Sequence, residues 1–475
     1  NCGCMARNVV STEAGGGLRR TIGRFQYFAL GFGTIIGSAW VVVLGEWLQA
    51  AGPGGAVVGF VAGGLFMCLI AAVYAELCAR MPEAGGEFVF AYRLFGPKVG
   101  FLVGWFVTLY LIAIAAFEAI VLPWLLQTLW PGLRQAPLYE LLGETVTLDA
   151  ALIGVAGVAL VTFLNYRDVR LAVLFQSVVT YSFASVALLV LSFGALSGSA
   201  DNLQPLFAAG NGQAWWLGAL WIFANTAFFL NGFQAIPQAI EERSEGTSTR
   251  TVARVMIGSV VAGAVFYCIV VMFSSLSAHW KTLAGAPLAT AAAVADVAPG
   301  KLLTNVLLLA AAFSLLKTWN AIAFMAARIL MAQARQSLLP AQLAQIHPRY
   351  ATPATAVLFV GACSLVGLFL GRGAVLPLVN MASICLAFTF ILACVALWKL
   401  RALDRQRAQH FRLPGGRVTL VIGIVGASAM SLIALVTPFI QGRAVPVEWV
   451  LIVCWGLLGW WVMPTARAVA ASEAS

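Results

Sequence analysis

Apolar residues run in long stretches along most of this chain, separated by short polar links. A helix crossing a bilayer needs ~20 predominantly apolar residues. Twelve segments meet that demand, at about 25–50, 56–80, 99–129, 147–165, 171–197, 217–241, 252–277, 303–333, 354–370, 375–398, 417–438 and 447–465. The pattern predicts an all-α polytopic membrane protein with 12 transmembrane helices.

Two segments are interrupted in similar ways. The first carries "GTIIGS" (Gly33–Ser38), and the sixth carries "NTAFFLNGFQAIPQ" (Asn225–Gln238) with Pro237 near its end. Glycine weakens a helix by ~1 kcal/mol relative to alanine, and proline removes a backbone donor. In hydrocarbon an unpaired backbone group costs several kcal/mol, so broken backbone persists only where it lines a polar cavity or meets a ligand. The half-helix after a break offers amide donors and a positive dipole end, which suit a carboxylate or another electron-rich group. The two segments lie five helices apart, so they run through the membrane in opposite directions. Corresponding broken helices in two halves point to an inverted-repeat transporter. The division expected is an N-terminal tail at 1–24, a first five-helix repeat at 25–197, and a second, inverted one at 217–400. Peripheral helices 11 and 12 then occupy 417–465, with a C-terminal tail at 466–475. Gly55, Gly59 and Gly63 in the second segment have the four-residue spacing of a close helix–helix seam.

Composition and charge fit this reading. Of 475 residues 61% are hydrophobic and 10% charged, and the mean hydropathy is +0.92. The net charge of +10 is a matter of topology. With a cytoplasmic N-terminus and alternating segments, most Lys and Arg fall on the cytoplasmic side, as the positive-inside rule requires. Both termini are then cytoplasmic and the membrane is a bacterial inner membrane. The basic run Lys399–Arg412 is a solvated loop, with no nucleic-acid partner implied. The first ~20 residues lack the apolar core of a cleavable leader; "NCGCM" at the start leaves open whether Met5 begins the natural chain. The cysteines have neither metal-ligand nor outer-loop spacing and read as small apolar packers. No metal or cofactor is called for.

Ionisable residues at membrane depth are costly and default to functional roles. Lys317 lies ~21 Å into its segment at 1.5 Å per residue. Three roles compete for it: a fixed cation on the carbonyls of the first break, a proton carrier, or a partner at the cytoplasmic gate. Glu118 is a candidate ligand for a substrate ammonium, or a proton relay; a hydrogen-bonded structural carboxyl is the rival. Glu46 is expected to face an outer vestibule and Glu76 to cap the second segment. Glu241 and Glu242 with Arg243 are candidate gate ion pairs. Trp319 either closes the pocket or packs outward. Trp124, Trp130, Trp215, Trp216, Trp280 and Trp449 read as interfacial anchors.

Four motifs in order carry a family resemblance. "GTIIGSAW" is followed by "AELCARMPEAGGEFVFAYRLFG" (Ala75–Gly96), "FFLNGFQAIPQAIEE" (Phe228–Glu242), and then "NAIAFMAARILMAQARQSLLP" (Asn320–Pro340) with "FRLPGGR" (Phe411–Arg417). The chain resembles the amino acid–polyamine–organocation (APC) superfamily permeases over nearly its whole length. The resemblance implies a 5+5 inverted repeat with discontinuous helices 1 and 6 plus two peripheral helices, and alternating-access transport of amino acids or related amines. By analogy the backbone of Thr34, Ile35, Gly37, Ser38 and Ala39 meets a substrate carboxylate. The carbonyls of Ala224, Asn225 and Thr226 hold the ammonium, and Phe228 acts as an aromatic gate. Two departures stand out: Ala39 replaces a usual glycine, and Gln234 replaces a usual glutamate.

The function expected is a sodium-independent permease for small amino acids, proton-coupled or exchanging, with a small substrate, protons and lipid as partners. A small amine such as ethanolamine, choline or a polyamine is the alternative. An intramembrane enzyme lacks acid–base or nucleophilic machinery at depth, since His279, His347 and His410 fall in or beside links. A sensor built on a transporter fold is the remote alternative. Substrate identity, coupling mode and oligomeric state are not legible.

Overall fold

The computed structural model describes residues 22–462 apart from 84, 134–135, 168, 211–212, 241–242, 245, 299, 404–410 and 441–445. Its helices are α1 (Arg24–Ile35), α2 (Ala39–Val42), α3 (Leu44–Arg80), α4 (Gly86–Phe95), α5 (Pro97–Leu129), α6 (Leu148–Arg167), α7 (Val169–Ser197), α8 (Trp215–Phe229), α9 (Ala235–Gln238), α10 (Thr249–Ser277), α11 (Trp280–Ala284), α12 (Ala289–Val297), α13 (Leu302–Arg335), α14 (Ala354–Leu368), α15 (Val375–Leu403), α16 (Gly416–Ile440) and α17 (Val447–Val462). Among the described residues nine helical segments are long and apolar enough to cross a membrane. Three shorter apolar helices lie at Trp215–Phe229, Ala354–Leu368 and Val447–Trp461.

The boundaries differ from the sequence reading in one instructive place. A gap between the first two segments was expected near residues 50–56. The span Leu44–Arg80 is divided there by Gly52, whose φ of 71° and ψ of 173° are not helical, so the expected gap is present but shrinks to a single residue. That left-handed φ is open to glycine at little cost, and Pro53 behind it supplies no amide to the ladder. The outer end of the first segment and the second segment are therefore two helices that meet at Gly52, with one non-helical residue between them. A further element unseen in the sequence is an antiparallel hairpin, β1 (Pro137–Leu141) and β2 (Glu144–Thr147), between α5 and α6. Its turn residues Leu142 and Gly143 both have positive φ, the geometry that matches hairpin twist.

Close packing follows the small residues. A Cβ on Gly59 would lie 2.8 Å from the Ala219 carbonyl, and Gly63 faces the Thr226 side chain. The glycine stripe of α3 is thus a seam against α8. Two other contacts fix the bundle's periphery. Trp105 on α5 and Trp455 on α17 stack with ring centroids 4.4 Å apart. Each indole N–H donates to the other's carbonyl at 2.9 Å. Trp280, expected at the interface, is instead buried and donates to the Pro205 carbonyl at 3.0 Å.

Glu76 joins two of the motifs. Its buried carboxylate receives Arg80 at 2.8 Å, Arg401 Nε at 2.9 Å and the Leu413 amide at 2.8 Å. A second Arg401 nitrogen donates to the other carboxylate oxygen. The end of α3 is therefore locked to α15 and to the "FRLPGGR" segment. Removing one partner of a buried charge network leaves the others uncompensated, at a cost of about 3–5 kcal/mol. Glu76→Gln is expected to lower the thermal unfolding midpoint of the detergent-solubilised protein markedly. An unchanged midpoint would reduce this network to a surface-like ion pair.

Candidate functional site

The first segment is broken where its sequence reads weakest. α1 ends at Ile35, Ile36 has φ −95° and ψ 87°, and helix resumes at Ala39. The break frees carbonyls, and buried side chains from two other helices claim them. Lys317 on α13 donates Nζ to the Gly33 carbonyl at 2.6 Å and also to that of Ile36. Ser314, one turn earlier, lies 3.0 Å from the Ile36 carbonyl and 3.2 Å from that of Gly37. Tyr267 on α10 donates to the Ile35 carbonyl at 3.1 Å. The Trp40 indole closes back onto the Gly37 carbonyl at 2.9 Å. These charge-assisted and neutral bonds explain how open backbone survives in a low-dielectric interior. The amides of Gly37, Ser38 and Ala39 have no such acceptor among the described residues.

The sixth segment breaks one turn later than the sequence suggested. The expected break at Ala224, Asn225 and Thr226 lies inside α8, which continues to Phe229. Polar character there serves packing. Asn225 donates to the Trp221 carbonyl at 3.0 Å and accepts from Ser383 at 3.1 Å, while Thr226 seats against Gly63. The interruption runs from Leu230 to Gln234, a succession of turns before α9. Gly232 sits at its centre, where a Cβ would lie 2.8 Å from the Gly31 carbonyl and closer still to the Ile35 amide. Only glycine allows the two breaks to approach so nearly.

Between the breaks is a small cavity of about 20 Å³, room for about one water. Thr34, Ile35, Gly37 and Ala39 line it from the first segment, Glu118 from α5, and Phe228 with Asn231 from the sixth. Thr318 on α13 and Tyr267 on α10 complete its polar wall. A Cβ on Gly37 would lie 3.3 Å from Glu118 Oε1 and 3.3 Å from Thr318 Oγ1. Glu118 Oε2 finds no hydrogen-bond partner among the described residues. Phe228 meets Phe117 edge-on at 5.4 Å, forming an aromatic wall.

The other candidates fall into different places. Ser38 is fully buried at the break itself, away from the cavity lining. Lys317 lies behind the break, its ammonium 5.4 Å from the centre of the Phe183 ring. Trp319 points to α6, where it packs on Gly157, and does not line the cavity. Neighbouring helix positions are ~100° apart, so Thr318 takes the inward face and Trp319 cannot. Glu241 and Glu242 lie outside the described residues. Glu46 lines a separate cavity of about 420 Å³ with Glu144, Arg372 and Trp124. Asn231, Tyr267, Ser314 and Thr318 were missed in the sequence. They are ordinary polar residues on apolar helices, and only Asn231, inside the interrupted stretch, carried a local signal.

Comparison with known proteins agrees with this architecture. The chain is 26% identical to the branched-chain amino acid permease BcaP of Bacillus subtilis, with 86% of each chain covered. It is 27% identical to the methylthioribose transporter of the same organism, over 84% of each chain. It is also 27% identical to the glutamate/serine transporter AimA, again from Bacillus subtilis, over 86% of this chain and 77% of that one. The family model described as "Amino acid permease" matches residues 22–463. The chain belongs to the amino acid permease family.

Proposed function

We propose that this protein is a sodium-independent secondary transporter of small neutral amino acids, working by alternating access in a bacterial inner membrane with both termini cytoplasmic. One observation carries the reading: two interrupted segments touch at Gly232 and Ile35, and the cavity between them is lined by residues of both together with Glu118. A substrate carboxylate fits the Gly37–Ala39 amides, which lie at the start of α2. Its ammonium fits Glu118 and the carbonyls near Leu230–Gln234, and Phe228 covers the side chain. The cavity is far too small for an amino acid in this closed form. Binding therefore requires the sixth-segment turns to move off the first. In the inverted-repeat arrangement, residues 25–197 and 217–400 rock about this contact.

Lys317 supports sodium independence. Its ammonium occupies the position between α1 and α13 where a metal cation would otherwise neutralise the break's carbonyls. Proton coupling and exchange are both compatible with Glu118 and Lys317, which are near enough to interact electrostatically. A second reading, a small amine without a carboxylate, is favoured by one contact. Glu118 reaches to the break beside Gly37, where an anionic substrate group would meet a like charge unless the glutamate is protonated.

Radiolabelled alanine, serine and leucine in proteoliposomes test the main reading. Uptake of at least one is expected in sodium-free buffer; a strict sodium requirement would remove the Lys317 argument. Uptake of ethanolamine or choline, with none of the amino acids, would install the amine reading. Lys317→Ala orphans two buried carbonyls at ~1–3 kcal/mol each. It is expected to abolish uptake while the protein still elutes as a folded species. Glu118→Gln is expected to alter pH dependence or amine recognition, and an unchanged pH profile and substrate range would relegate it to packing.

A further inference from the structure

A second buried carboxylate lies away from the substrate cavity. Glu87 opens the short helix α4, which links α3 to α5 and is not itself a membrane span. It is 3% exposed. Its Oε2 accepts from Gln238 Nε2 at 3.1 Å, while its Oε1 has no partner among the described residues. Gln238 ends α9, the helix that follows the sixth-segment break. The two elements are tightly pressed: Gly86 has φ 47°, and a Cβ there would run into the Gln238 amide. The contact between Glu87 and Gln238 is thus the contact between the first link and the half of the sixth segment beyond its break.

Among the described residues no cation faces this carboxylate. Tyr74 of α3 and Tyr110 of α5 are the titratable groups facing it. Cys385 of α15 lies beyond, near Tyr110. Charged groups on the packed elements are engaged elsewhere. Arg93 of α4 pairs with Glu83 at 2.6 Å. Lys399 of α15 donates to the Leu94 carbonyl at 2.6 Å. The Arg328 guanidinium of α13 lies over Phe324. An ionised carboxylate buried without a cation is costly, so the closed arrangement favours the neutral acid.

We propose that Glu87 is a proton-binding site of the inner closure, holding a proton while α4 and α9 are packed together and releasing it to the cytoplasm when they separate. The inference rests on the transporter reading for the motion it invokes, and on the basic end of the bundle being the inner one. Burial pushes the Glu87 carboxyl up to about 7, whereas a hydrated glutamate titrates near ~4.3. The sign follows. Acidification from pH ~7 towards ~4.3 progressively favours the closed, protonated form. Above ~7 the carboxyl is ionised in both forms, and the closed one bears the full burial penalty. Cytoplasmic acid therefore holds the inner side shut.

Attenuated-total-reflection infrared spectroscopy of the full chain in lipid reads the site without substrate. The wild type is expected to show a protonated-carboxyl stretch that titrates with a midpoint near pH 7. Glu87→Gln, which keeps an acceptor for Gln238, is expected to lack it. Gln238→Leu removes the donor and is expected to move that midpoint to higher pH, which serves if Glu87→Gln does not fold. Alanine counterflow at equal pH on both sides is expected to slow on acidification in the wild type and to lose that dependence in Glu87→Gln. A band titrating near pH ~7 that survives in Glu87→Gln overturns the proposal, as does a counterflow profile identical to wild type. Absent counterflow of alanine, serine and leucine by the wild type would instead strike the transporter reading, leaving the infrared result to judge the proton site.

Discussion

The lysine ammonium on the carbonyls of Gly33 and Ile36 is the interaction on which this architecture depends. A polar backbone interruption inside a bilayer is unstable alone, because neither lipid nor neighbouring aliphatic side chains hydrogen-bond to it. Here the acceptors are answered from outside the segment, by α13 and α10. The donors are left over. That asymmetry distinguishes the break: its carbonyls are taken up by protein side chains, while the Gly37–Ala39 amides have no such acceptor among the described residues. Lys317 also brings an ionisable amine to the bundle's interior, and Glu118 stands near enough to interact with it electrostatically.

The arrangement divides labour between rigid and yielding contacts. The α3–α8 glycine seam and the Glu76 network are dense interfaces of the kind that move as bodies. The Leu230–Gln234 turns have fewer regular backbone bonds, and Asn231 has a side chain with no partner among the described residues. Poorly satisfied polar groups beside a well-packed frame are where a conformational change costs least. The nearly closed cavity and the Glu87–Gln238 contact lie on either side of those turns.

Much of the fold was readable because the membrane imposes a simple demand on composition. Length and hydropathy located the apolar segments, and the cluster of Gly33, Gly37 and Ser38 marked the first break. Depth alone singled out Lys317. The sixth-segment break was displaced by a turn because Asn225 and Thr226 carry the same surface signal as a true interruption. A side chain that bonds Ser383 across helices looks, in one dimension, like one that lines a site. Ser314, Tyr267 and Thr318 were invisible for a related reason: their partners are 232 to 285 residues away in sequence. Gly52 and Pro53 do mark the break between the first two segments, but one non-helical residue suffices where a longer link was expected.

The paired indoles of Trp105 and Trp455 have one more implication. α5 bears Glu118 at its middle, and through Trp105 it is fastened to α17, whose Trp460 and Trp461 are 69% and 74% exposed. A tilt of α5 must carry those outward indoles to a new depth among the acyl chains. Bilayer thickness thereby becomes a thermodynamic variable in the conformational equilibrium, entering at a fraction of a kcal/mol per Å of mismatch.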